Sequence, residues 1–388
     1  MSTLETLSPE AALDFAGRRL KAGDAEGARR ALETALETSP ANLSLLMELA
    51  LACRLMADWP AALRALDAAL AIDPYEFLAL LTKGVVIEKL GDTRAAAAAY
   101  ATALRLAPDP PAPFLVKPIE HARAIVAEDR ERKGAFLHER LFAHKRQHGG
   151  ADFARIDECV DIFVGKAKAH FPDPALLLFP RLPPVPFFDD AFFPWMRALE
   201  SKTSIIRAEL EAVLANRQGL RPYVQKEPGA PVNQWADLNY NPNWSVYFFW
   251  ENSIKFEDNC ARCPQTTAIL ESLPLARQPD YGPTAMFSIL KPHTHIPPHT
   301  GSANTRVICH LPLILPEKCS YRVGNDRREW KMGKAWVFDD SIEHEARNDS
   351  DFIRVMLIFD VWNPYLTEAE RDLVSELLLA NRAYLAGQ

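Results

Sequence analysis

Several histidines lie close together in one stretch of this sequence, KPHTHIPPHTGSANTRVICH, which runs from Lys291 to His310. His293, His295 and His299 fall within seven residues, and His310 follows them, in a chain that contains 10 histidines in all. Neutral imidazole is the commonest side-chain ligand of metal ions in proteins. The stretch therefore indicates a metal site, although its spacing leaves open which histidines bind the metal.

A further histidine, His344, lies in FDDSIEHEARNDSDFIRVMLIFDVW. Non-haem iron oxygenases commonly bind iron through two histidines and one carboxylate, which leaves coordination positions open for a co-substrate and dioxygen. Two arrangements remain possible from the residues alone. His293, His295 and His299 can form a cupin-type cluster, or an upstream histidine can pair with His344. His299 is followed by Thr-Gly, so the carboxylate usual two residues later is absent.

Arg354 is a charged residue within an apolar run, FIRVMLIF, ten residues after His344. An arginine fork makes two charge-assisted hydrogen bonds to a carboxylate, so it specifies geometry as well as charge. In oxygenases that use 2-oxoglutarate, a basic residue on the strand after the distal histidine typically binds the far carboxylate of that co-substrate. We therefore predict that Arg354 has this role.

The elements that must position these residues are strands. Beyond Val232 the sequence changes to short aromatic and β-branched runs with period-two alternation, separated by turn residues. The runs are WSVYFFW (244–250), TAMFSIL (284–290), TRVICHLPLIL (305–315), CSYRVG (319–324), KAWVFDD (334–340) and FIRVMLIFDVW (352–362). This spacing predicts an all-β sandwich or barrel, which a final helix beginning at a threonine cap follows.

The N-terminal part contains a 34-residue repeat. The recurring positions are Ala28, Ala62 and Ala96; Ala35, Ala69 and Ala103; Leu36, Leu70 and Leu104; and Pro40, Pro74 and Pro108. Small residues allow two helices to approach closely, and proline stops the second helix of each unit. The period predicts three tetratricopeptide helix–turn–helix units in residues 7–108, a fold whose groove usually holds a peptide or protein.

Residues 109–175 predict a helical bridge, in which ARIDECVDIFVGKAKAHF reads as one helix and Gly149-Gly150 ends the helix before it. The proline- and phenylalanine-rich segment FPDPALLLFPRLPPVPFF then marks the entry to a β domain, residues 176–388. The predicted architecture is therefore multidomain α + β: an N-terminal α-solenoid followed by a double-stranded β-helix, or jelly roll.

The β region closely resembles the aspartyl/asparaginyl β-hydroxylase family of Fe(II)- and 2-oxoglutarate-dependent oxygenases. The motifs that carry the resemblance are HTG…N…R…H, FDDS-EHE and DVW-P, supported upstream by NWSVYFFWENSIKFEDNCARCPQT. The resemblance covers roughly residues 179–366. It also fits the repeats, because the catalytic domain of vertebrate members follows a tetratricopeptide region.

The resemblance implies that iron is bound by only two histidines, His299 and His344, and that Gly301 marks the place of the missing carboxylate. It further implies that Arg306 lines the substrate pocket and that His295 is not a ligand. The residues that it places around 2-oxoglutarate are Trp244, Ser288, His310 and Arg354. Dioxygen is the second co-substrate that the family uses.

Two positions depart from the family pattern. Ile308 replaces the second arginine of an Arg-x-Arg-x-His motif, and Met286 replaces a lysine two residues before Ser288. Both changes remove positive charge from the expected pocket. Either Arg306 compensates, or the substrate is less acidic than an aspartyl side chain.

We therefore predict a dioxygenase that hydroxylates an aspartyl, asparaginyl or related side chain of a peptide or protein, recruited by the repeats. The alternatives are a non-catalytic adaptor and a hydroxylase of a lipid acyl chain. The net charge of −7 argues against nucleic-acid binding, and six scattered cysteines fit reduced thiols. The sequence has no apparent leader or membrane segment, so we expect a cytoplasmic protein.

Overall fold

A computed structural model describes residues 8–149 and 152–387. The predicted start of the repeats at residue 7, the predicted end of the β domain at residue 388 and the second glycine of the 149–150 pair lie outside the described residues. The chain divides into two compact units, Met1–Ala167 and Lys168–Gln388. The division falls inside the predicted bridge.

The first unit begins with helical hairpins at the period of the repeat. Its helices are α1 (Pro9–Lys21), α2 (Ala25–Thr38), α3 (Leu43–Leu55), α4 (Trp59–Ile72), α5 (Phe77–Lys89), α6 (Thr93–Leu104), α7 (Val116–Lys145) and α8 (Ala154–Val164). Asp24, Asp58 and Asp92, each 34 residues apart, accept a hydrogen bond from the backbone N–H three residues later, at 2.8, 3.1 and 2.9 Å. Each aspartate therefore caps the second helix of its hairpin.

Small residues hold the hairpins together. Ala28, Ala62 and Ala96 are fully buried at the predicted crossing positions. In the third hairpin a Cβ on Gly84 would overlap the ring of Tyr100. The helices therefore approach closely, as the alanine pattern predicts.

The predicted bridge is mostly helical and packs on the third hairpin. Ile119 and Val126 of α7 share a buried cluster with Leu80 and Tyr100. Helix α8 ends at Val164, and the next residue is a glycine in the left-handed conformation. The prediction that this helix continues through residues 165–171 is wrong, because such a glycine terminates an α-helix.

The second unit consists mainly of antiparallel strands. They are β1 (Arg221–Pro222), β2 (Trp244–Glu251), β3 (Ile254–Lys255), β4 (Ala285–Leu290), β5 (Thr294–His299), β6 (Arg306–Ile314), β7 (Cys319–Val323), β8 (Asp326–Arg328), β9 (Trp336–Phe338), β10 (His344–Asn348) and β11 (Arg354–Trp362). The helices are α9 (Met196–Glu200), α10 (Thr203–Asn216), α11 (Glu257–Arg262), α12 (Pro264–Glu271) and α13 (Glu368–Leu385).

The strands form two sheets. The larger has the order β1-β2-β4-β11-β6-β9, with β3 paired to β2, and the smaller has the order β5-β10-β7-β8. Each predicted run contains a strand. The strands that the structure adds include β5 and β10, which sequence periodicity missed because one contains two prolines and the other, HEARN, is mostly polar.

Alternation along the strands separates two faces of the larger sheet. Phe287 and Leu357 belong to a core that also contains Ile206 and Leu210 of α10. Residues of the opposite phase, such as Met356, belong to a second core with residues of the smaller sheet. The face between the sheets therefore carries the candidate site. Among the described residues, no helix combines the length and apolarity that spanning a bilayer requires.

Candidate active site

Two imidazoles meet where two strands of the smaller sheet pair. His299 ends β5 and His344 begins β10, and the two residues lie opposite each other in the antiparallel register. Their ring centroids are 4.0 Å apart, and both side chains line a cavity of about 400 Å³ between the sheets. Residues 45 positions apart thus form one pair.

The backbone fixes the orientation of both rings. The Nδ1 of His299 lies 2.7 Å from the carbonyl oxygen of Pro297, and the Nδ1 of His344 lies 3.0 Å from that of Ile342. A carbonyl only accepts, so each Nδ1 carries the proton and each Nε2 keeps a free lone pair. Burial lowers the pKa of both imidazoles, and in His344 the neighbouring His299 lowers it further. Neutral rings with free Nε2 atoms suit metal coordination.

Gly301, two residues after His299, lies against Asp340 from a later part of the chain. The N–H of Gly301 donates to the carbonyl of Asp340 at 2.7 Å, and a Cβ on Gly301 would overlap the Asp340 carboxylate. Burial and, to a smaller extent, the charge of Asp339 raise the pKa of Asp340 to about 8. Asp340 belongs to the FDDS motif, but the sequence pattern does not predict its place in the site. The available signal was a pair of acids beside an apolar strand.

The donor set fits a two-histidine metal site. In the described parts of the chain, no group of three or more His, Cys, Asp or Glu side chains has an arrangement that would hold a metal ion. His299 and His344 nevertheless offer two oriented nitrogen donors on a cavity wall. Two ligands leave most of a coordination sphere open for small molecules.

The opposite wall carries a buried guanidinium. Arg354, at the start of β11, is 1% exposed, and its Nε and Nη1 find no hydrogen-bond partner among the described residues. Burial lowers its pKa to about 10. The guanidinium lies over the ring of Trp330, with 4.7 Å between Cζ and the ring centroid. An unpaired buried charge is costly, so the arrangement indicates an anionic ligand.

The other residues predicted to bind the co-substrate line the same cavity. The indole N–H of Trp244 donates to Ser288 Oγ at 3.1 Å across neighbouring strands. His310 is buried, and its Nδ1 has no hydrogen-bond partner in the described structure. Burial and the charge of Arg354 lower the pKa of His310. The structure thus brings Trp244, Ser288, His310 and Arg354 together around one polar pocket end.

Arg306, the predicted substrate-binding residue, also lines the cavity but is already paired. Its Nη1 donates to Asp360 Oδ2 at 2.6 Å and to the carbonyl of Tyr281, and its Nη2 donates to Ser302 Oγ at 3.1 Å. Asp360 is buried and also accepts the N–H of Thr284 at 2.9 Å. Both Nη atoms are therefore engaged within the protein, whereas the buried Nε has no hydrogen-bond partner among the described residues.

The other two histidines of the opening stretch lie outside the cavity. His293 is exposed, with Nε2 at 3.0 Å from Asp351 Oδ1. The Nε2 of His295 lies 2.8 Å from Glu345 Oε2. Neither side chain faces His299 in the cavity, so the structure does not form the cupin-type cluster.

A family model for aspartyl/asparaginyl beta-hydroxylase matches residues 200–364. The matched segment contains His299, His344 and Arg354, and also Trp244, Ser288 and His310 of the same cavity. It lies entirely within the second unit.

Named relatives are similar to about half of the chain. An ornithine lipid ester-linked acyl 2-hydroxylase of Rhizobium tropici is 35% identical over 50% of this chain and 66% of its own length. The human aspartyl/asparaginyl beta-hydroxylase is 34% identical over 45% of this chain and 22% of its own length. The human aspartate beta-hydroxylase domain-containing protein 2 is 28% identical over 54% of this chain and 56% of its own length. The chain thus spans only part of each relative.

Solved structures, among them a tetratricopeptide domain, are similar to part of the chain. The Arabidopsis OM64 domain covers 30% of this chain and 93% of its own, with 22% identity and a TM-score of 0.27. PcrH from Pseudomonas aeruginosa covers 33% and 98%, with 17% identity and a TM-score of 0.29.

Proposed function

The chain carries a domain of the aspartyl/asparaginyl β-hydroxylase family, and from this premise we propose that it is an Fe(II)- and 2-oxoglutarate-dependent dioxygenase. His299 and His344 would hold the metal through their Nε2 atoms. The residues that would hold the co-substrate are Trp244, Ser288, His310 and Arg354.

The observation that carries the proposal is the unpaired guanidinium of Arg354. It faces the cavity that the two imidazoles line, and its Nε and Nη1 have no partner in the described residues. A dicarboxylate would supply the missing acceptors at one end and place an oxygen-bearing group toward the imidazoles at the other. Ser288 Oγ, already positioned by the indole of Trp244, would add a donor for the same carboxylate.

Iron at this site would supply the activation of dioxygen. In the overall reaction, a substrate C–H bond becomes C–OH with one oxygen atom of dioxygen. The other oxygen atom enters succinate as 2-oxoglutarate loses carbon dioxide, so substrate and co-substrate each give up two electrons to dioxygen. The chain's own part is to keep both imidazoles neutral, to orient the dicarboxylate and to exclude water from the cavity.

The remaining features of the proposal concern the fold and the partners. The two facing antiparallel sheets support a double-stranded β-helix for residues 176–388. We propose that the repeats of residues 7–108, followed by the bridge of residues 109–175, recruit a peptide or protein partner. The cytoplasmic location stays a prediction.

Two substrate classes are compatible with this reaction. The names of the relatives include an aspartyl/asparaginyl hydroxylase and an acyl 2-hydroxylase of a lipid. We keep the hydroxylation of an Asp, Asn or related side chain as one candidate and the hydroxylation of an acyl chain as the other. The adaptor alternative does not account for a cavity that retains both oriented imidazoles and an unpaired buried guanidinium.

Anaerobic titration of the full chain with Fe(II) and 2-oxoglutarate tests the proposal. We expect a weak visible charge-transfer band and, after admission of air, succinate formation. His344→Ala should abolish both, whereas the matched variant His293→Ala, at an exposed histidine, should retain both. A folded protein that gives neither the charge-transfer band nor succinate would contradict the proposal.

A further inference from the structure

Part of the cavity wall beyond the co-substrate residues is apolar. Side chains two residues apart on a strand share one face of the sheet. One such step from Ser288 on β4 leads to Met286, and one from His310 on β6 leads to Ile308. Ile358 of β11 pairs with Met286 on one side and His310 on the other. All three apolar side chains line the cavity.

The charges at this end of the cavity compensate each other. Arg306 is bound to Asp360, to a backbone carbonyl and to a serine hydroxyl, while Asp360 also accepts a backbone N–H. Of the lysine and arginine side chains in the described structure, Arg306 and Arg354 are those that line the cavity. The first is paired internally, and the second belongs to the proposed co-substrate end.

A carboxylate on the substrate would therefore find no free cation beyond the co-substrate. It would instead approach Asp340 and Asp360, both of which line the same cavity. Asp360 is already paired with Arg306, and neither carboxyl group supplies a positive charge, so the desolvation of a substrate carboxylate would stay uncompensated. The wall thus disfavours an aspartyl side chain.

A segment beside the cavity also presents apolar side chains to solvent. Ala175 lines the cavity, and its backbone runs along the loop after His299, where its N–H donates to the carbonyl of Gly301 at 3.0 Å. The next residues of this segment present Leu176 and Leu178, which are 46% and 56% exposed. An extended apolar chain that enters past this segment would stay in contact with aliphatic side chains.

We propose that the substrate is a lipid whose acyl chain enters the cavity, with Met286, Ile308 and Ile358 selecting an uncharged aliphatic group for hydroxylation. This inference rests on the proposed function and decides between its two substrate classes. Burial of each methylene of the chain would contribute about 0.8 kcal/mol. The paired Arg306 would remain a structural part of the wall.

Substrate-stimulated succinate formation by the full chain, with Fe(II) and 2-oxoglutarate, tests the proposal. The probes are dodecanoyl-lysophosphatidylcholine, an aspartyl decapeptide and the same decapeptide with leucine in place of aspartate. We expect the lipid to raise succinate formation about tenfold more than either peptide, a size of discrimination that a pocket wall can supply. Mass spectrometry should show addition of one oxygen atom to the acyl chain.

Charge introduced into the wall should weaken this preference. We expect Ile308→Arg to reduce lipid-stimulated turnover about tenfold, because the chain would then meet a buried charge. The matched control is Ile254→Arg on β3, where the isoleucine is 66% exposed and does not line the cavity; its lipid preference should be unchanged. If Ile308→Arg melts at a lower temperature than the parent, Met286→Lys repeats the test from the neighbouring strand.

The outcomes separate this inference from the proposed function. A preference for either peptide, or equal turnover with all three probes, would overturn the lipid assignment. The proposed function would still be supported in that case if the chain converted 2-oxoglutarate to succinate without any probe. An equal lipid preference in the parent and in both wall variants would overturn the role of the wall. Absence of the Fe(II) and 2-oxoglutarate complex would remove both proposals.

Discussion

The guanidinium of Arg354 provides the most direct test at the scale of single residues. Arg354→Gln removes the charge that the proposed dicarboxylate would neutralise. We expect the KM for 2-oxoglutarate to rise about 100-fold, since a charge-assisted hydrogen-bond pair contributes roughly 3 kcal/mol. Steady-state succinate formation measures this, and Arg347→Gln, an exposed arginine on β10, is the control that should leave the KM unchanged. An unchanged KM in Arg354→Gln would remove the assignment.

Trp330 is expected to position Arg354 rather than to touch the substrate. Its ring supports the guanidinium, and its Nε1 has no hydrogen-bond partner in the described structure. Trp330→Leu should therefore weaken 2-oxoglutarate binding about fivefold, the equivalent of a cation–π contribution of about 1 kcal/mol. Trp330→Phe should restore most of the affinity, because it keeps an aromatic face and loses no hydrogen bond.

Calorimetric titration of 2-oxoglutarate into the Fe(II)-loaded variants measures the effect of Trp330. A purely structural role predicts a different pattern. In that case both variants would lose thermal stability, and the affinity of the folded protein would stay that of the parent.

Residue types and flanking sequence were enough to predict some of the residues that line the candidate site. Arg354 is a charge in an apolar run, and the family resemblance implies the pair of His299 and His344. Asp340 was missed, because its place beside Gly301 depends on the meeting of two loops about 40 residues apart. The ion pair of Arg306 with Asp360 was missed for the same reason, since it joins neighbouring strands across 54 positions.

At the scale of elements, hydrophobic periodicity predicted the strands of the larger sheet better than those of the smaller. The central strands of the larger sheet are buried on both faces and read as apolar, β-branched and aromatic runs, whereas β5 contains two prolines at the edge of its sheet. Strand β10 carries His344 in a short polar sequence. Its pairing with β5 and β7 depends on contacts that lie far apart in the sequence.

Asn348, at the end of β10, links the two sheets. Its Nδ2 donates to the carbonyls of Leu290, Lys291 and Phe352 at 2.8 to 3.1 Å, and its Oδ1 accepts from Ser350 at 2.6 Å. The side chain is fully buried. We expect Asn348→Ala to lower the free energy of unfolding by about 3 kcal/mol, because several buried groups lose their partners.

Urea unfolding of the full chain, followed by circular dichroism, measures this loss. Asp349→Ala changes the exposed neighbour and should alter the free energy of unfolding by less than about 0.5 kcal/mol. Equal effects of the two substitutions would contradict a structural role for the Asn348 hydrogen bonds.

At the scale of the whole molecule, the repeat and the β region were recognised separately from their different periods. Thirty-four-residue recurrence predicted the hairpins of the first unit, and period-two runs predicted the strands of the second. The sequence placed the bridge between two domains, whereas the structure groups residues 1–167 in one unit. The buried cluster of α7 with the third hairpin explains that grouping.

Two compact units predict two unfolding transitions, of which only one should respond to the proposed ligands. Mn(II), as a redox-stable substitute for iron, and 2-oxoglutarate at 100 times its dissociation constant should stabilise the second unit by about 2.7 kcal/mol. For a unit of this size the melting temperature should rise by about 5 to 10 °C. Differential scanning calorimetry of the full chain measures both transitions.

Substitutions assign each of the two transitions to its unit. Gly84→Ala should lower only the transition that does not respond to the ligands, because the added Cβ would overlap Tyr100 within the first unit. Arg354→Gln should abolish the ligand-dependent shift of the other transition, since it removes the proposed carboxylate contact. A single transition that both the ligands and Gly84→Ala displace would show that the units unfold together, and the independence inferred from their compactness would be wrong.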